Sequence, residues 1–175
     1  EYMEFLKKLI EEEKLKTEID PITQEWIAFL RRVEQDVTIC ELRAPTITFN
    51  NKLELHGSDR RAELLTFGGG HTASDAFLWL PDDGVIFVAD LLFHEICAFV
   101  GHGNPVQWLR ILDGIDALDP APEHVIPGHG ELTTRAGFEG QRAYLRAMIA
   151  ALEALPANAE NVSDTPCPDE FGAWD

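Results

Sequence analysis

The sequence predicts an α/β fold, a layered sandwich in which a mainly antiparallel or mixed sheet carries flanking helices. Three observations point there. Apolar residues recur at helical spacing up to about Val33, then switch to short β-type runs from Val37 onward. Pro81-Asp82-Asp83-Gly84 separates two apolar runs, 76–80 and 85–89, as a hairpin turn would, because Asp-Gly supplies the special turn dihedrals. Beyond the hairpin, two helical stretches enclose a single short strand, an order that suits sheet and helices packed in layers.

Element by element, residues 1–16 read as an amphipathic helix, with Phe5, Leu6, Leu9, Ile10 and Leu15 on one side. Asp20-Pro21 opens a second helix with Pro in its first turn, and Trp26, Ile27, Phe29, Leu30 and Val33 form its apolar stripe. Strands are expected at 37–40, 46–49, 53–56 and 63–67, separated by Ala-Pro, Asn-Asn and Gly-Ser-Asp turns. After the hairpin come a helix over 105–118 with Val106, Leu109, Leu112, Ile115 and Leu118 inward, and a strand at 124–126. A long helix over 133–155 follows, with Ala and Leu facing the core. The expected organisation is one domain over 1–155, with N-terminal helices at 1–36, and a loosely held tail over 156–175, where Pro, Asn, Asp and Gly dominate.

Composition narrows the partners. The net charge of −17 disfavours nucleic acid and anionic membranes, since binding either requires Lys and Arg to neutralise phosphates. No apolar run approaches the ~18–20 residues of a membrane span. Cys40, Cys97 and Cys167 are widely spaced with no Cys-x-x-Cys pair, so no disulfide framework is implied, and a cytoplasmic location is expected.

The chemistry is concentrated in three segments: Gly-Gly-Gly-His-Thr-Ala-Ser-Asp at 68–75, Val-Ala-Asp-Leu-Leu at 88–92 and Ile-Pro-Gly-His-Gly at 126–130. Each sets one metal-competent side chain (His71, Asp90, His129) at the end of an apolar run. The spacing is 19 residues from His71 to Asp90 and 39 on to His129. Gly or Pro turns the chain beside each, which is how a β-rich scaffold brings distant residues to one sheet edge.

Together these segments resemble the C-terminal half of the metallo-β-lactamase-fold hydrolases, over residues 37–150. The resemblance implies that His71 completes a three-His zinc site, that Asp90 bridges two metals and acts in catalysis, and that His129 is the last ligand of the second zinc. In the family the residue before that Asp is usually Gly; here it is Ala89. The family's upstream His-x-His-x-Asp-His cluster is missing: the first His is His56, and no two of the six are two residues apart. The chain is therefore expected to be part of a larger protein. Two zinc ions belong to an intact site and at most one partial site to this chain.

The reaction so implied is hydrolysis of an ester, thioester or related bond in a small-molecule substrate by a metal-activated hydroxide, with the chain inactive by itself. Asp75 is expected to hydrogen-bond a ligand imidazole, and His94 and His102 to line the pocket. His56 and His124 read as structural. Two other readings stay open: a degenerate, metal-free binding or interaction module, and a dimer in which a second chain supplies the missing ligands. Without its partner layer, one sheet face would be left apolar, inviting a homodimer.

Overall fold

The hairpin turn at Pro81–Gly84 joins the antiparallel strands Phe77–Leu80 and Val85–Phe93, and the rest of the sheet extends outward from them. The computed structural model describes residues 8, 11, 21–37, 39–41, 43–100, 103–155 and 168–174. The chain divides into two compact units, 1–48 and 49–175.

The first unit contains helix α1 (Pro21–Val37), on which Ile27 and Leu30 are buried. The helix expected over 1–16 lies outside the described residues except at Lys8 and Glu11, which are helical. At its described residues the apolar run 37–40 is not a strand: Val37 closes α1, and 39–41 are turn and coil. The run 46–49 is likewise irregular, and its Ile47 is exposed. Neither segment has a pairing partner among the described residues, and β-propensity without one does not make a strand.

In the second unit, five strands pair in sequence order: β1 (Lys52–His56), β2 (Arg61–Leu65), β3 (Phe77–Leu80), β4 (Val85–Phe93) and β5 (His124–His129). The first three pairings are antiparallel; β4 and β5 are parallel. A parallel neighbour needs a crossover, and helix α2 (Pro105–Asp116) supplies it. Asn104 caps α2, its side chain accepting the Gln107 N–H at 3.0 Å, with Pro105 at the first helical position. Helix α3 (Ala136–Glu153) then runs beside α2.

The strands' period of two sorts their side chains onto two faces. Leu65, Phe77, Trp79, Ile86, Val88 and Val125 share one core with Trp108, Ile111, Leu112 and Ile115 of α2 and Phe138, Tyr144, Leu145 and Met148 of α3. Each such side chain contributes about 1.5–3 kcal/mol by leaving water. On α2, Leu112 and Ile115 are buried and Leu109 and Leu118 pack against the core as expected, but the helix's first turn differs. Val106 is 48% exposed and Trp108 fully buried, because the Trp108 indole N–H donates to the Leu91 carbonyl at 2.8 Å and fixes the helix's rotation. On α3 the core is aromatic and large rather than Ala-rich. Arg142, almost wholly buried, ties α3 to α2: it donates to Asp113 at 3.1 Å and to Asp116, and to Glu139 at 2.9 Å on its own helix.

The registers place Leu53, Leu55, Leu64, Leu78, Leu80, Phe87 and Ile126 on the opposite face. Leu55 and Phe87 are exposed there and the others half-buried. At the sheet edge, Glu63 pairs with Lys52 at 2.9 Å, and this bond, with Glu54, holds the Lys52 ammonium above the ordinary lysine range.

The tail was expected to be loose; residues 156–167 lie outside the described residues, but its end is packed. A 3-10 turn at Asp169–Phe171 buries Phe171, which meets Tyr144 edge-on at 5.4 Å and Trp174 at 4.7 Å. Two large aromatics outweigh the turn-forming composition around them.

Candidate metal centre

His71 sits in the irregular loop between β2 and β3. The Asp75 carboxylate organises that loop, accepting the Gly70 N–H at 2.7 Å, the Thr72 N–H at 3.1 Å and the Thr72 hydroxyl at 2.6 Å. Asp75 thus supports His71 through the backbone. It does not hold the imidazole, contrary to the expectation: His71 Nδ1 is buried without a hydrogen-bond partner. The loop is also held from α2, where the Asn104 N–H donates to the Gly70 carbonyl at 2.8 Å and Gln107 Nε2 to the Phe67 carbonyl at 3.2 Å.

Asp90 was expected to end its strand. Instead β4 continues to Phe93, and Asp90 stands at an irregularity, with register shifts against β5 on either side of Ala89. Ala89 takes φ +47°, in the left-handed region that suits glycine. This turn of the backbone breaks the strand's alternation, so that Leu91, Leu92 and Phe93 are all buried while Asp90 faces outward.

His129 closes β5, and two contacts with His94 fix its loop. The His94 N–H donates to the His129 carbonyl at 2.9 Å, and His94 Nδ1 lies 3.0 Å from the Glu131 carbonyl. His94 therefore braces the His129 turn. His102 lies outside the described residues. His56 and His124 are exposed, His124 at the far end of β5.

The three predicted ligands come together around one carboxylate. Asp90 Oδ2 is 3.7 Å from His71 Nε2, and Asp90 Oδ1 is 3.5 Å from His129 Nε2. Both separations are too long for hydrogen bonds. Both are close to the ~3.3 Å between two donors on one tetrahedral zinc with bonds of about 2.0–2.1 Å. The His71 side chain is only 13% exposed, against 47% for Asp90 and 52% for His129, so the centre is walled on one side and open on the other. Imidazole nitrogen and carboxylate oxygen are donors that zinc accepts. The set is incomplete: among the described residues, no group of three or more His, Cys, Asp or Glu is gathered as a finished cation site. An open cleft of about 850 Å³ along β1 and β2, bordered by Phe67, Gly68 and Ser74, reaches the flanks of the His71 loop but not the three residues themselves.

The family model described as the metallo-beta-lactamase superfamily matches residues 10–155. The chain belongs to the metallo-β-lactamase superfamily. Among curated proteins it is 26% identical over 93 residues to a metallo-beta-lactamase type 2 of Bacteroides fragilis, covering 51% of this chain and 37% of that protein. It is 33% identical over 90 residues to a hydroxyacylglutathione hydrolase of Methylococcus capsulatus, covering 49% and 35%. The chain thus spans little more than a third of the length of these curated relatives. Among solved structures, a metallo-beta-lactamase from Pontibacter korlensis superposes with a TM-score of 0.55 at 20% identity, over 59% of this chain and 50% of that one. The crystal structure of VMB-1 does so with a TM-score of 0.54 at 20% identity, over 81% and 61%. These likenesses establish the layered α/β fold.

The structure brings together the three residues expected from the motifs, His71, Asp90 and His129. Sequence reasoning missed Phe93, Trp108 and Gly128, which touch these residues, because an aromatic or a glycine beside a strand gives the same pattern whether it serves a core or a site.

Proposed function

We propose that these residues form one side of the centre of a zinc-dependent hydrolase acting on an ester, thioester or related bond of a small molecule. The observation that carries the reading is the division of the Asp90 carboxylate between two imidazoles, one oxygen toward each. His71, Asp90 and His129 would hold zinc, with further ligands supplied from outside these 175 residues. When bound, zinc polarises a carbonyl or phosphoryl oxygen and makes water acidic enough to ionise near neutral pH.

The chain's own residues orient that chemistry. The Asp90 carboxylate would offset the cationic charge, with one imidazole nitrogen on either side of it. Phe93 and Trp108 wall His71 from bulk water, while the exposed side of Asp90 and His129 leaves room for substrate. With three donors the chain alone is expected to be inactive.

Elemental analysis of the purified chain and of His71→Ala and His129→Ala tests the reading. Bound zinc that both substitutions remove supports it; no zinc in the parent at micromolar free zinc overturns it for the isolated chain. A metal-free binding module is the second reading, and the lack of a finished three-residue cation site among the described residues favours it. It predicts no zinc under any condition.

A further inference from the structure

Phe93 stands between the two imidazoles. Its ring lies parallel to that of His129, with centroids 4.5 Å apart and planes at 13°. It is also 5.4 Å from the His71 ring, at 44°. Trp108 extends the row, edge-on to His71 at 5.3 Å.

A ligating imidazole is ordinarily aimed by a hydrogen bond to its second nitrogen, because its χ2 torsion is broad and does not choose a plane. Neither imidazole has that support. His71 Nδ1 is buried without a partner, and among the described residues the His129 ring makes no hydrogen bond. Asp90 lies too far from either ring for a hydrogen bond, and the ring that both imidazoles contact is Phe93. Phe93 itself is fixed: its backbone N–H donates to the buried Gln141 side chain at 3.0 Å, it is paired with His129 across β4 and β5, and its side chain is buried.

We propose that Phe93 is the positioning residue of the centre, an aromatic partition that sets the planes of His71 and His129 so that both Nε2 atoms face Asp90. The proposal rests on the zinc reading only for its metal-binding consequence; the arrangement of the rings stands without metal.

The test compares Phe93→Leu with Phe93→Met, a second variant closer in shape to the native side chain, and with Phe93→Tyr, which restores the ring. Amide NMR spectra first establish that each is folded. In the metal-free parent, the His129 ring protons are expected upfield of free imidazole because they lie over the Phe93 face. In the Leu and Met variants they return toward free values, and His71 shifts with them. Zinc then binds at least tenfold more weakly, the size of effect that lost orientation of a ligand produces. Tyr recovers both. Unshifted His129 resonances in the parent overturn the proposal, and so does an unchanged zinc Kd once the stack is lost. If the parent binds no zinc, the zinc reading fails for the isolated chain, and the metal-free shifts alone decide. Movement of both imidazoles in Leu and Met supports the partition; spectra identical to the parent overturn it.

Discussion

Gly128 passes so close to Asp90 that a Cβ built on it would fall on the carboxylate oxygen Oδ1 and within 2.6 Å of the Ala89 carbonyl carbon. The bare backbone of β5 is what lets Asp90 reach His129. Gly128→Ala is therefore expected to push the carboxylate or the strand aside. Zinc affinity should fall at least tenfold, with a stability loss of about 1–3 kcal/mol from overpacking. Isothermal titration with zinc and urea unfolding measure the two effects separately.

Ala89 carries the cost of a left-handed backbone just before Asp90. Glycine avoids the Cβ clash of that region, worth roughly 1–2 kcal/mol, and returns part of the gain through a more flexible unfolded chain. Ala89→Gly should raise stability by about 0.5–1 kcal/mol with zinc binding preserved. Ala89→Val should lower both, since a β-branched residue tolerates positive φ poorly. Thermal melts of the two variants should move in opposite directions.

The packed end of the tail braces the segment that follows β4. Cys97 Sγ approaches the Phe171 carbonyl at 3.9 Å, and the Tyr144 hydroxyl beneath Phe171 donates to the Ala98 carbonyl at 2.9 Å. Phe171→Ala is expected to cost about 3 kcal/mol. Limited proteolysis should then cut within 94–100 sooner than in the parent.

Arg142 is expected to matter more than a surface ion pair, because it is buried while its carboxylate partners reach solvent. Arg142→Ala should destabilise by about 2–3 kcal/mol, through lost packing and lost pairing together. Chemical denaturation checks this, with zinc binding as the control that ought to stay unchanged.

The apolar sheet face bearing Leu55 and Phe87 should drive self-association of the isolated chain. Light scattering is expected to show a mass that grows with concentration, and Leu55→Lys with Phe87→Lys should return it to 19.6 kDa.

How far the sequence could be read follows from where the deciding contacts lie. The β3–β4 hairpin was legible because its turn is encoded in four adjacent residues, Pro81 to Gly84. So was the placement of α2 and α3, whose apolar period is local. The runs at 37–40 and 46–49 looked like strands, yet strand formation depends on a partner, which local composition does not report. On α2, Val106 was misplaced and Trp108 missed for the same reason: the bond from Trp108 to Leu91 spans two elements, which the simple i, i+3, i+4 count does not report. The nearness of His71, Asp90 and His129 was legible, since each motif sets its residue beside a strand end. The role of Asp75 was not, since a carboxylate four residues from a histidine serves a ring or a backbone equally well. The left-handed turn at Ala89 was concealed by a residue that rarely adopts it.

The parallel pairing of β4 with β5 also fixes an order of assembly. His71 and Asp90 flank one hairpin, so short loops bring them together, whereas His129 arrives only after the α2 crossover has closed. Long-range closure is the slow part of folding. During synthesis, His71 and Asp90 are made before His129, and the centre is expected to be among the last features of the protein to mature.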